Sequence, residues 1–230
     1  MLPEGSSLTV ISGNAVVTRP ALYHRTVRDR ADRAAGTAEQ IITAAAEAIA
    51  ELGLRHTTMG EIGRRAGMTD GAVFHHFPTR LDLIVAVAEA VLGERVASAR
   101  SVITAPPPAA AATPVHRLSE LRRLAHEPPM RVWVEVLLSA RTDGLLRARL
   151  ASLLAPHVDA LHSLAAALPT LVGMSSGART SWVDVVRNVL IGEAFTAGVV
   201  PGGVPQRKVE LLVVLAGVLA AQPDGVPGPA

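Results

Sequence analysis

The chain has 230 residues, 49% of them hydrophobic but only 3% aromatic, with a formal net charge of +2 and no cysteine. That length allows one large or two small domains around a sizeable core, and a core of alanine, leucine and valine favours packed helices over sheet. The missing thiols exclude disulfides, thiolate metal sites and a cysteine nucleophile; the small net charge excludes little, because cations gathered on one face suffice to bind nucleic acid.

Residues 1–33 read as a flexible extension. Gly, Ser, Pro and Thr are scattered through residues 1–20 without a helical stripe. Residues 8–11 suit a strand, but one short run builds no sheet. Arg19, Arg25, Arg28, Arg30 and Arg33 face only Asp29 and Asp32, so the segment is either a solvated tail or an arm that reaches phosphates or a minor groove. No basic stretch leads into an apolar run, so no secretory signal is expected. The most apolar late stretch, residues 211–221, falls short of the roughly 20 residues a bilayer span needs. A cytoplasmic protein with no membrane contact is the expectation.

Residues 34–102 read as a first ordered unit of four helices. Thr37 and Gln40 have capping-box spacing and open helix one, whose apolar stripe is Ile41, Ala45, Ala48, Ile49 and Leu52; Gly53 ends it. Thr58 and Glu61 repeat the capping box at helix two, which turns inward Ile62 and Ala66 and is followed by Gly67 and Met68. Gly63 stands mid-helix, where glycine costs about 1 kcal/mol against alanine, and a small residue there lets the next helix cross closely. Thr69 caps helix three, residues 70–76, which Phe77 and Pro78 stop. Thr79 caps helix four, where Asp82 in the first turn favours the dipole. Its buried stripe is read as Leu81, Ile84, Val85, Ala88, Val91 and Leu92. Two helices joined by a tight turn are the plan of a helix-turn-helix, and helix three is too short and too poor in apolar residues to exist for packing alone.

The run TTMGEIGRRAGMTDGAVFHHFPTR at residues 57–80 resembles the N-terminal domain of the TetR family of transcriptional regulators. The family pattern has a Thr-Thr/Ser start, an Ile-Ala pair, Ala-Gly-Val-Ser, Gly-x-x-Tyr-x-His-Phe and a Ser-Lys pair. This chain departs from it at Gly63 for Ala, at Phe74 for Tyr, which loses a phenol-to-phosphate contact, and at Arg80 for Lys, which keeps the charge. The resemblance implies that Thr58 and Arg80 contact phosphates. It implies that Thr69, Asp70, Gly71, Ala72 and Val73 face base edges, Ala72 or Val73 meeting a thymine methyl. His75 and His76 would reach the backbone, and Phe74 completes the DNA-facing set.

Residues 103–222 read as a second helical unit, for effector binding and dimerisation, with residues 223–230 a disordered tail. Prolines and glycines break it into helices near 116–127, 130–141, 145–168, 180–199 and 205–221, with Pro156 kinking or restarting the third. Residues 133–150 are similar to ligand-domain helices of the same family. Candidate pocket residues are Met130, Trp133, Leu137, His157, Leu161, Met174 and Phe195, with an apolar small-molecule effector expected. Val185, Val189, Gly192, Leu212, Leu215, Ala216 and Leu219 are candidates for a homodimer interface, and a two-fold dimer matches a pseudo-palindromic site in double-stranded DNA.

An all-α protein is therefore expected, an N-terminal helix-turn-helix joined to a helical ligand-binding and dimerisation domain, acting as a repressor released by its effector. The same fold without an effector, or a helical interaction protein without DNA binding, are the alternatives. No enzyme, catalytic residue, cofactor or metal is expected. Gly173-Met-Ser175-Ser-Gly177 fits the G-x-S-x-G pattern, but no histidine follows it and no strand pattern precedes it. His157 and His162, five apart, do not share a helical face for a metal.

Overall fold

The computed structural model describes residues 9–12, 15–18, 21–106, 113–168, 171–197 and 207–221, with side chains from residue 35 onward except at 207. Arg19 of the basic segment, the side chains of its other four arginines and the expected tail at 223–230 lie outside the described residues.

The described residues form a helical protein, as its alanine- and leucine-rich composition predicts. Its helices are α1 (Ala21–Leu52), α2 (Met59–Ala66), α3 (Asp70–His76), α4 (Arg80–Thr104), α5 (Pro114–Leu124), α6 (Pro128–Ala140), α7 (Gly144–Ala165), α8 (Ser176–Thr196) and α9 (Arg207–Ala220). Before them, strands β1 (Thr9–Ser12) and β2 (Ala15–Thr18) pair antiparallel, with Thr9 opposite Thr18 and Ser12 opposite Ala15. The expectation of a lone strand near residues 8–11 missed the partner, a second run with β-branched residues at 16–18.

Helix α1 starts at Ala21 rather than at Thr37. The run from 21 to 36 is rich in alanine and arginine and free of proline, so nothing stops the helix at Thr37. Gln40 is then free of any capping task, and its side-chain amide donates to the Ala66 carbonyl at 2.9 Å, tying α1 to the end of α2. The buried stripe of α4 is Leu83, Ile84, Val87, Ala88, Val91 and Leu92, one helical step round from the expected one, with Leu81 and Val85 only half-buried. Pro156 does not interrupt α7, which runs through it.

One core joins α1–α4 to α6 and α7, built on Ile41, Ile49, Leu83, Val87, Val132 and Leu150. A second lies between α5, α8 and α9, around Leu118, Trp182, Val209 and Ala216. Helix α4 packs on α1, α5, α6 and α7, so it belongs to both units. Among the described residues, no helix is long and apolar enough to cross a membrane.

Candidate nucleic-acid interface and effector cavity

Three threonines set the geometry of the helix-turn-helix. Thr58 accepts from the Glu61 N–H at 3.2 Å, Thr69 from the Ala72 N–H at 3.3 Å and Thr79 from the Asp82 N–H at 3.1 Å. Each satisfies a helix-start donor that the helix itself leaves unpaired. The Glu61 side chain does not return to Thr58. It accepts from Arg64 and Arg65, each at 2.7 Å, and these guanidinium groups hold its carboxyl down at about 2. Arg65 also donates to Glu51 at 2.7 Å. Both α2 arginines are thereby largely spent within the protein.

The turn between α2 and α3 depends on two glycines. Gly67 has φ 66° and ends α2 in the left-handed region. Gly63 faces the turn: its carbonyl accepts the Met68 N–H at 2.8 Å, and a Cβ added to it would stand 3.0 Å from the Met68 carbonyl oxygen and 3.3 Å from Asp70 Oδ1. The close crossing that the sequence led us to expect at Gly63 is present.

Helix α3 divides its residues sharply. Val73 is fully buried in the core, so its side chain does not face base edges as the resemblance implied; α3 has a single bulky aliphatic residue and needs it to anchor to α2. Asp70 is exposed, but its carboxylate lies against Gly60 and Gly63 of α2 rather than projecting outward. Gly71, Phe74 and His75 are exposed together on the outer face, flanked by Thr69, with Ala72 and His76 half-buried; Phe74 is 45% exposed. The His75 and His76 rings meet edge to face at 5.5 Å. Thr58 is exposed at the start of α2. Arg80 is exposed too, yet its Nη2 donates to the carbonyls of Leu54 and Thr57, at 2.5 and 3.3 Å. Part of its donor set braces the α1–α2 loop and is not free for phosphate.

Residues 41–87 match the family model for bacterial regulatory proteins of the tetR family. This stretch, which holds α2, α3 and the start of α4, is similar to the DNA-binding segment of that family. Over 194 residues, 84% of this chain and 98% of the relative, it is 28% identical to an HTH-type transcriptional regulator of Mycobacterium tuberculosis. Its fold matches a putative TetR-family transcriptional regulator from Mesorhizobium loti with a TM-score of 0.61 at 18% identity, covering 82% of this chain and 97% of that one. It also matches the multidrug binding protein EbrR complexed with ethidium, with a TM-score of 0.54 at 20% identity, covering 78% and 98%.

The chain contains a cavity of about 680 Å³ between α1, α4, α5, α6, α7 and α8. Met130, His157 and Leu161 line it as expected from sequence; Trp133, Leu137, Met174 and Phe195 do not. Trp133 is buried behind the wall with the Arg95 guanidinium 5.9 Å from its ring centre. Leu137 packs against the first core and Met174 in the second, whereas Phe195 is 54% exposed on α8. Periodicity names helix faces, but it does not say which of two neighbouring cores a face will meet.

Sequence reasoning missed Arg95 and Arg187, which also line the cavity. The signal was available. Arg95 follows Ala88 and Val91 along the buried stripe of α4, and Arg187 follows Val183 on α8. An arginine at a stripe position is a buried cation. Arg95 Nη1, Arg187 Nε and both ring nitrogens of His157 are buried without a well-formed hydrogen bond among the described residues. Burial and the Arg187 charge pull the Arg95 guanidinium down to about 10. His157 is pushed down to about 4, by burial first and then by the Arg95 and Arg187 charges, with the Leu92 backbone pulling weakly the other way.

The proposed dimer residues also divide. Leu212 and Ala216 are buried within the chain's own second core, where the Leu212 carbonyl accepts from Trp182 Nε1 at 3.0 Å. Gly192 and Val185 are exposed; Val189, Leu215 and Leu219 are half-buried. The exposed large hydrophobic side chains of these helices are Val185 and Phe195 on α8 and Leu211, Val214 and Val218 on α9. Ser175 of the G-x-S-x-G stretch caps α8, accepting from the Ala178 N–H at 3.2 Å, and residues 171–174 just before it form no strand.

Proposed function

We propose that the chain is a homodimeric repressor that binds a pseudo-palindromic operator and is released by a small, largely apolar effector. The observation that carries this reading is the outer face of α3, where Gly71, Phe74 and His75 stand exposed on a seven-residue helix anchored by Val73 alone. An aromatic ring held outward on so short a helix has no packing role, and it suits a thymine methyl or a sugar in the major groove. Thr58, Thr69 and Ala72 neighbour these residues on α2 and α3, and in this reading His76 and the unspent donors of Arg80 contact phosphates.

The apolar face of α8 and α9 supports the dimer. Five large hydrophobic side chains at Val185, Phe195, Leu211, Val214 and Val218 are exposed on adjacent helices, a patch that water disfavours. Pairing that face across a two-fold axis sets two reading helices one turn of DNA apart, about 34–36 Å. The cavity supports the effector. It touches α4, whose first turn adjoins α3, so a ligand that binds better to one placement of α4 shifts the population of the DNA-competent state. EbrR, of the same fold, holds ethidium.

The test is fluorescence anisotropy with duplexes drawn from the DNA flanking the chain's own coding region, at two salt concentrations. Salt-dependent, sequence-selective binding by a dimer is the expected result. Indifference to every duplex would remove the DNA reading.

A further inference from the structure

The cavity sorts charge by depth. The carboxylates on its wall, Glu47, Glu94 and Glu127, are all exposed, and Glu127 already accepts from Arg123 at 3.1 Å. The groups inside are cationic or neutral donors. Arg95 has no carboxylate partner among the described residues, its Nη1 is buried without a hydrogen bond, and its guanidinium lies 5.9 Å from the Trp133 ring centre. Arg187 is balanced through Nη2 by Asp184 at 3.2 Å, yet its Nε is unpaired. His157, 7% exposed, presents two unpaired ring nitrogens. The remaining wall is apolar, with Val91, Met130, Leu161, Leu164, Trp182 and Val183.

We propose that this cavity binds an apolar monocarboxylate, with the carboxylate seated at Arg95, Arg187 and His157 and the hydrocarbon body along the apolar wall. The inference rests on the effector reading above and names the chemical class of that effector. A buried charge without a partner is unfavourable, and a molecule that supplies the missing charge removes the penalty while it gains its own hydrogen bonds. The geometry of a guanidinium suits a carboxylate, which accepts two parallel N–H donors. The charge balance sets the ligand at one negative charge. Asp184 already offsets Arg187, and His157 is neutral at pH 7, so Arg95 is the uncompensated cation among the described residues that line the cavity.

The experiment titrates the full-length protein with matched probes of one chain length, decanoate, decan-1-ol and decyltrimethylammonium, and with the pair 2-naphthoate and 2-naphthol. Tryptophan fluorescence reports binding, because the chain's two tryptophans are Trp182 on the wall and Trp133 behind Arg95. Each carboxylate is expected to bind at least tenfold tighter than its alcohol, with the ammonium weakest. Arg95→Met is expected to bring decanoate to the affinity of decanol and to leave decanol unchanged. Alcohols equal to or tighter than the carboxylates, a preferred ammonium, or no binding by any probe would overturn the proposal, and the wild-type comparison stands even if the variant fails to fold. Operator affinity is read in the same samples. Decanoate bound with DNA affinity unchanged keeps the carboxylate site and removes the effector reading. Equal release from DNA by decanoate and decanol keeps the effector reading and overturns the carboxylate site.

Discussion

The Leu54 N–H donates to Glu135 Oε2 at 2.9 Å, which joins the loop after α1 to the middle of α6. The Leu54 carbonyl accepts from Arg80 at the start of α4, so one peptide residue is held from two directions. Helix α6 also lines the cavity with Met130 and Val132, and thus touches both the cavity and the reading unit. Glu135→Ala is expected to cost about 1–3 kcal/mol, the range for losing a charged acceptor from a buried backbone donor. Glu135→Gln, which keeps an acceptor oxygen, is expected to cost less than half of that. Urea denaturation of both variants checks this, and equal losses would mean that the side chain's bulk matters and its acceptor does not.

Gly63 poses a contest of two effects. Alanine would gain about 1 kcal/mol of helix propensity. Its Cβ would also stand 3.0 Å from the Met68 carbonyl oxygen, in a turn closed by the Met68 N–H. Gly63→Ala is expected within about 1 kcal/mol of wild type, whereas Gly63→Val, with a branched Cβ at the same place, is expected to lose about 2 kcal/mol or more. Thermal melts of the two variants decide it; a Val variant as stable as the Ala one would show that the crossing is loose.

Val73 and Phe74 are neighbours with opposite duties. Val73→Ala is expected to destabilise by about 1–3 kcal/mol through the cavity it leaves. Phe74→Ala is expected to change stability by no more than about 0.5 kcal/mol, as for surface positions, and to weaken operator binding. Melting and DNA anisotropy on both proteins separate the roles. Unaltered DNA affinity in the Phe74 variant would take that ring out of the interface.

Arg80 has both roles. Arg80→Ala is expected to lower stability by about 1 kcal/mol through the lost braces to Leu54 and Thr57. It is also expected to reduce the salt slope of DNA binding by about one. An unchanged slope beside a lowered stability would leave Arg80 as a brace alone.

His157 gives a pH signature with a definite sign. Its ring titrates at about 4 in the folded protein, below its ordinary 6.5. Between those values the unfolded chain takes up a proton that the folded one refuses, so stability is present above about 6.5 and is lost as pH falls towards 4. The loss is at most about 3 kcal/mol. His157→Leu is expected to flatten this part of the profile. Urea midpoints at pH 5 and pH 7 test it, and parallel profiles for the two proteins would contradict the buried neutral ring.

The sequence by itself determined the local features. Thr58, Thr69 and Thr79 cap the helices they precede, Gly63 and Gly67 permit the turn, and the order of these signals identifies a helix-turn-helix. Such features depend on residues a few positions apart, whose interactions hold wherever the segment lies. Tertiary structure decided what depends on which surfaces meet. It turned Val73 inward and left Phe74 outside, though both lie on one short helix. It drew Leu212 and Ala216 into the chain's own core and left Leu211, Val214 and Val218 uncovered. It set Arg95 from α4, His157 from α7 and Arg187 from α8 around one cavity. Each of those arginines occupies a position its own helix would give to an aliphatic residue. Only the meeting of three helices gathers their charge in one place, because burial and electrostatics are properties of the assembled neighbourhood and are not encoded in any single stretch of chain.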